Sequence, residues 1–360
     1  MEPENPVSAV SAENLCGKQF RIPDLRPAFA SWNQGLSPHY PQIKQVVDAR
    51  LEGLIRNERV LAKVKAGDIG LFASGWFPTA PYRHLKTVAL YCVWLFLWDD
   101  AIDGGAAPTT AGTGLAAEEY CRRSVGFVRY HLGLDEPGAP APPAPTKVCG
   151  SFAEVGRRVC ECCGAEDRRG LFEHLGEYME ACVTEYRWRL SGRAPGVDEF
   201  YGWRLRTSSV DVMLDFCRML NGITLPKDVL EAKELAAMGL SVNKLLILIN
   251  ELFSLKKELK DGAFGNLIPI TMRSLGLDLE AAVNNVVQDI HSCIRDFEDS
   301  SSALQTTATR EHGQDVASQL RLLIEAYQAI ATTVLKFSVQ SPRYGLLKDR
   351  QEDGSFLVTL

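Results

Sequence analysis

Eleven apolar residues run without interruption from Val88 to Trp98, and Asp99, Asp100 and Asp103 follow within five positions. A helix over 82–103 that carries this run is apolar on every side, so it belongs at the centre of a core rather than on a surface. The rest of the chain offers helices to surround it. Residues 40–66 read as amphipathic, and helical patterns recur over 115–132, 150–164, 168–192, 198–221, 228–260, 277–300 and 311–338. Alternating strand patterns bounded by hairpin signals are absent, and no repeat period is evident. The stretch GLDEPGAPAPPAPTK, 133–147, is rich in proline and alanine and reads as a loop. Helical segments dominate both of its flanks. The expectation is therefore an all-α fold: one domain over 1–360, a single large helical bundle, with 133–147 a loop within it.

Charge and cysteine usage narrow the function. The net charge is −6 and no basic run occurs, which argues against a general nucleic-acid binder. An acidic chain can still hold a polyanion where metal ions reverse the local sign. The N-terminus, MEPENPVSAVSAENLCG, lacks the basic start and apolar stretch of a secretory signal. As a helix the longest apolar run covers about 16 Å, roughly half of a bilayer core, so no membrane span is expected. The cysteines are scattered, and their one cluster, CECC at 160–163, has no second Cys or His pair at zinc spacing. They read as reduced thiols of a cytoplasmic protein.

The carboxylates after the apolar run are the first candidate site. In a helix Asp99 and Asp103 lie about 6 Å apart along the axis and about 40° apart in azimuth, so both can reach one metal cluster. Asp100 points elsewhere or supports from the flank. A solvated cap is the plain alternative, but acids are unfavourable at a helix C-terminus, where the dipole is negative. Gly104 and Gly105 suggest that the helix stops there.

A second polar line lies inside an apolar helix, LLILINELFSLKKELKDG at 245–262. Asn250, Ser254 and Glu258 recur at i, i+4 and i+8 on one face. An amide oxygen, a hydroxyl and a carboxylate form a three-oxygen half shell suited to Mg²⁺. Asn250 follows five apolar residues and is expected to be buried; a hydrogen bond to another helix is the alternative role.

Together these motifs resemble those of class I terpene synthases. The pattern Asp-Asp-x-x-Asp ends an apolar helix, and Asn250-Glu251-x-x-Ser254-x-x-Lys257-Glu258 is similar to the microbial form of the family's second motif, with Glu251 where Asp is commoner. Further landmarks fall in order. GWFPTAP (75–81) resembles the family's Phe/Tyr-Pro turn, and Arg204 lies 46 positions before Asn250, the family spacing for a diphosphate-sensing arginine. SPRYG carries the paired Arg343 and Tyr344, and Phe337 stands where many relatives have Trp. Thr207 and Ser208 occupy linker positions where relatives have Asp and Gly. The length resembles that of fungal or bacterial single-domain members.

The resemblance implies the isoprenoid synthase bundle with a central apolar cavity, and a Mg²⁺-dependent enzyme of secondary metabolism. Such an enzyme ionises farnesyl diphosphate, cyclises the carbocation to a sesquiterpene hydrocarbon or alcohol, and releases diphosphate. By the same resemblance, Asp99 and Asp103 hold two of three Mg²⁺ ions, and Asn250, Ser254 and Glu258 hold the third. Arg204, Lys257, Arg343 and Tyr344 bind the diphosphate. Phe96, Phe77, Tyr201 and Phe337 are candidates for cavity walls, whereas Trp94 and Trp98 read as packing. Lys256 and Lys260 read as solvated. Arg204 could instead pair with Asp211 or Asp215, and Arg206 could replace it. Geranylgeranyl diphosphate is the alternative substrate. A chain-elongating prenyl diphosphate synthase is the rival activity, with Asp211-x-x-x-Asp215 as its decoy second motif. The enzyme is expected as a monomer or homodimer.

Overall fold

The computed structural model describes residues 15–102, 117–260 and 265–360; Asp103, Gly104 and Gly105 lie outside them. The expected helices form, several of them divided by identifiable breakers. Residues 40–66 give α1 (Tyr40–Leu54) and α2 (Glu58–Ala66). Asn57 separates them: its side chain accepts from the N–H groups of Arg59 and Val60 and caps a new helix. Helix α3 (Ile69–Trp76) precedes the core helix α4 (Tyr82–Ile102), and α5 (Ala117–His131) leads into the Pro/Ala-rich loop. Then come α6 (Lys147–Gly150), α7 (Phe152–Cys162) and α8 (Ala165–Ser191). The segment 198–221 breaks at Ser208 and Ser209 into α9 (Val197–Thr207) and α10 (Val210–Leu220). The remainder is α11 (Lys227–Leu230), α12 (Lys233–Lys260), α13 (Leu267–Leu275) and α14 (Leu279–Gln340).

Helix α14 is continuous only in name. Gly313 sits at φ 82°, ψ −174°, and the Gln305 side chain donates to the Ala317 carbonyl at 3.1 Å. In a straight helix those residues would be about 18 Å apart. The limbs 279–312 and 314–340 therefore bend sharply toward each other, close to the two segments expected.

Helix α4 is buried as its composition demands, packing on α1, α3, α7 and α8. Trp94 and Trp98 are fully buried and stack at 5.8 Å. Gly75 on α3 allows a close approach to α14: an added Cβ would lie 2.6 Å from Thr333. Helix α12 packs along α14. By length and composition Lys227–Lys260 and Leu279–Gln340 could each cross a membrane, a feature that the longest uninterrupted run does not reveal. Their apolar windows are 72% and 67% buried inside the bundle, which accounts for that character as core.

The bundle also carries one short pair of strands that no alternating pattern or hairpin signal marks in the sequence. β1 (Gln19–Ile22) pairs antiparallel with β2 (Phe356–Thr359), from Gln19 opposite Thr359 to Ile22 opposite Phe356. Four residues are too few to show a period, and the partners lie more than 300 positions apart. Phe20, Ile22, Phe356 and Val358 face inward. Phe356 meets Phe253 of α12 edge-on at 5.5 Å, which anchors the tail beside the polar stripe.

Candidate active site

Asn250, Ser254 and Glu258 share one face of α12. Ser254 is buried, whereas Asn250 and Glu258 are half-buried. The expectation of a buried Asn250 is thus corrected: its amide leaves the apolar core and meets two other elements. The amide N–H donates to the Tyr344 hydroxyl at 3.2 Å, and the amide oxygen accepts from Arg204 Nη2 at 3.0 Å. Residues from α9, α12 and the 3-10 turn Pro342–Tyr344 therefore converge on one amide.

Arg204 is oriented by a second contact, Nε to Glu251 Oε1 at 3.2 Å. Glu251 Oε2 accepts from the backbone N–H of Leu267 at 3.0 Å. Burial pushes the Glu251 carboxyl up, opposed by the Arg204 charge. Burial alone would lower the Arg204 pKa, but Glu251, Glu185 and Glu258 outweigh it, and the guanidinium is held above its ordinary value. Arg204 therefore pairs with neither Asp211 nor Asp215. Asp215 is taken by His174 Nδ1 at 2.7 Å, and Arg206 is exposed near Glu177 at 3.6 Å.

Asp99 ends α4 opposite α8. Its Oδ1 faces the Tyr178 hydroxyl at 3.4 Å and the Cys182 thiol at 3.5 Å. Burial, with Asp99 and Glu185 adding, pushes the Cys182 thiol well above its ordinary value. The Cys182 thiol donates to the Asp99 carboxylate. Glu185 links the two acidic faces: its charge acts on Cys182 beside Asp99 and on Arg204 beside Asn250.

Between α9 and α10, Ser208 Oγ shares its one proton between the Leu205 carbonyl at 2.9 Å and Asn243 Oδ1 at 2.8 Å, and Thr207 Oγ1 is buried with no hydrogen-bond partner among the described residues. Ser209 holds a left-handed φ of 57°, and its hydroxyl meets the Tyr91 hydroxyl at 2.7 Å. Phe96 is half-buried between buried neighbours, as suits a ring bordering open space. Phe72 of α3 bridges it to Phe337, with ring centroids 5.8 Å and 5.2 Å away, and Phe337 lies 6.4 Å from Tyr344. Phe77 is buried in the core, and Tyr201 is half-buried against Phe200.

Arg343 is exposed and Lys257 half-buried. Lys256 is corrected from a solvated residue: its Nζ reaches Asp349 at 2.8 Å and ties the tail to α12. Sequence reasoning missed Glu185, Asn266, Tyr178, Cys182 and Phe72, none of which lies in a recognisable motif. The donors around the site are carboxylate, amide and hydroxyl oxygens, a set that fits a hard divalent cation.

This helical bundle, with its oxygen-rich faces and arginine, defines a class I terpene synthase. The chain belongs to the terpene synthase family: residues 90–296 match the family described as terpene synthase family 2, C-terminal metal binding. It is 26% identical to the sesquiterpene cyclase hepA of Aspergillus oryzae, over 95% of this chain and 93% of that one. It is 30% identical to the 10-epi-cubebol synthase of Sorangium cellulosum, over 68% and 76%. The linalool/nerolidol synthase structure from Streptomyces clavuligerus superimposes with a TM-score of 0.71 at 18% identity, covering 85% of this chain and 98% of that one. The chain is a terpene cyclase, a carbon–oxygen lyase acting on a prenyl diphosphate with a divalent metal cofactor.

Proposed function

We propose that the protein is a Mg²⁺-dependent sesquiterpene synthase that ionises farnesyl diphosphate and cyclises the resulting cation to a hydrocarbon or alcohol. The observation that carries this reading is the convergence of Arg204 and Tyr344 on Asn250. The substrate choice is supported by relatives whose names are those of sesquiterpene cyclases. We read 1–360 as one catalytic domain of a cytoplasmic enzyme.

Asp99 and Asp103 on one side, and Asn250, Ser254 and Glu258 on the other, would hold three Mg²⁺ ions. When bound, these ions supply the positive charge that stabilises the departing diphosphate. At about 4 Å and an effective dielectric near 20, one pair of unit charges is worth about 4 kcal/mol. Arg204 adds a directional contact. Two of its N–H groups serve Glu251 and Asn250, and a guanidinium has five, so donors remain for phosphate oxygens. The Tyr344 hydroxyl oxygen accepts from Asn250, which leaves its own proton to donate. Arg343, on the same turn, and Lys257 add cationic contacts. The Lys256–Asp349 ion pair ties the tail that carries Tyr344 to α12.

On the apolar side, the Phe96 and Phe337 rings, with Phe72 packed between them, would stabilise a passing cation by about 0.5–2 kcal/mol each. Thr207 and Ser208 would place the α9 terminus near the diphosphate, as linkers. The chain-elongating alternative finds no support in Asp211-x-x-x-Asp215, because Asp215 is committed to His174.

The test is incubation of the purified protein with Mg²⁺ and farnesyl diphosphate, followed by GC–MS. A C15 product with diphosphate release is expected. Product only from geranylgeranyl diphosphate would move the substrate class, and a requirement for isopentenyl diphosphate would overturn the reading.

A further inference from the structure

We propose that Asn266 is a positioning residue for the α12 metal face, locking Ser254 and Glu258 in the orientation that lets their oxygens share one cation. The inference rests on the function proposed above. Asn266 is fully buried, yet it lies eight positions beyond Glu258. Its amide nitrogen donates to the Glu251 carbonyl at 2.9 Å and to Glu258 Oε2 at 3.0 Å, with Ser254 Oγ at 3.5 Å. Its amide oxygen accepts from the N–H of Ile268 at 2.9 Å and caps α13. The adjacent Leu267 N–H goes to Glu251 Oε2 at 3.0 Å. The first turn of α13 is thus stitched to three successive turns of α12.

One primary amide has two N–H protons and here faces three oxygens, so the Ser254 contact is the weak, shared one. That arrangement draws Ser254 and Glu258 toward a common point. A carboxylate engaged through Oε2 keeps Oε1, and a hydroxyl approached from one side keeps a lone pair, so each retains an oxygen for a cation. Leaving a buried amide unpaired would cost about 1–3 kcal/mol, which holds the clamp closed. Partners that hold ligands in place typically contribute about 10–100-fold in metal affinity.

The test separates the clamp from the cap. Asn266→Ser keeps a capping oxygen but removes both N–H donors; Asn266→Asp keeps shape and cap but places a carboxylate beside Glu258. Mn²⁺ affinity is measured by EPR with inorganic pyrophosphate, together with the rise in melting temperature that Mn²⁺ and pyrophosphate produce. The second measurement serves even a destabilised variant. The expected results are Mn²⁺ binding weakened about 10-fold or more in Asn266→Ser, further still in Asn266→Asp, and Asn266→Ser turnover restored by raised metal. Unchanged affinity and an undiminished thermal increment in Asn266→Ser overturn the proposal. Glu258→Gln is the control: if it binds Mn²⁺ as the wild type does, the site assignment itself fails. If Glu258→Gln weakens while Asn266→Ser does not, only the clamp is refuted.

Discussion

Arg204 Nη2 donates to Asn250 Oδ1 at 3.0 Å, so on the proposed function the arginine and a metal ion would address the same oxygen. An amide oxygen has two lone pairs, and the contact leaves one. Asn250 and Arg204 are therefore joined without substrate, and a change at either alters both. Asn250→Ala should cut turnover by about 1,000-fold or more, because it removes a ligand, releases Arg204 and takes a partner from Tyr344. Asp99→Ala should do the same from α4. Both variants should keep the wild-type helical circular dichroism, and near-normal turnover in either would remove these residues from the site.

Glu251 stands where the family more often has aspartate, and here its two oxygens reach Arg204 at 3.2 Å and the Leu267 N–H at 3.0 Å. Glu251→Asp is one methylene shorter and cannot span both. The lost bond to a charged group is worth about 1.5–3 kcal/mol. If Arg204 is released, KM for the prenyl diphosphate rises; if Leu267 is released, the melting temperature falls. Kinetics and calorimetry on one preparation distinguish these, and a variant unchanged in both would show that neither bond matters.

Ser209 carries a left-handed backbone at φ 57°, which costs a non-glycine residue about 1 kcal/mol. Ser209→Gly removes that strain but strands the fully buried Tyr91 hydroxyl, a penalty of about 1–3 kcal/mol. The penalty is the larger, so the single variant should be destabilised by about 1 kcal/mol. Adding Tyr91→Phe should recover most of it. Denaturation of the wild type, both single variants and the double variant measures the coupling; additive effects would show that the hydroxyl pair contributes nothing.

The polar stripe of α12 was legible because helical spacing places Asn250, Ser254 and Glu258 on one face whatever surrounds the helix; Asp103 of the first motif lies outside the described residues. Arg204 was singled out by the family resemblance, which places an arginine 46 positions before Asn250, and the two residues are hydrogen-bonded across that interval. Asn266 was not legible, because its role depends on the chain returning to α12 after that helix ends. Glu185 and Tyr178 lie on α8, whose polar residues carry no distinctive period. The β1–β2 pairing joins opposite ends of the chain and leaves no local trace. The break at Ser209 lacks the usual glycine signal, since the Tyr91 hydroxyl stabilises a conformation that serine otherwise avoids.

His174 sits 2.7 Å from Asp215, and that carboxylate, against the opposing effect of burial, raises the imidazole pKa to about 9 from an ordinary 6.5. A raised pKa stabilises the fold fully below about pH 6.5, and the contribution is lost as pH climbs through 9. The His174 side chain is 40% exposed, so solvent screening reduces the gain to about 1 kcal/mol. His174→Gln should melt about 2 °C below the wild type at pH 6, with the gap closing by pH 9 and above. A gap independent of pH would assign the residue to packing alone.

Phe72, Phe96 and Phe337 come from α3, α4 and α14, yet their rings form one chain of contacts that ends beside Tyr344. Phe96→Ala opens space and removes a ring face without touching the oxygen donors. Diphosphate release should therefore persist within about 10-fold while the product mixture shifts toward species formed by earlier quenching, since one ring contributes about 0.5–2 kcal/mol. Phe72→Ala should shift the mixture in the same direction through Phe96, the ring it supports. GC–MS profiles at matched turnover compare the two. An unchanged profile for Phe96→Ala would return that ring to the packed core, and a loss of diphosphate release equal to that of Asn250→Ala would place it with the leaving group.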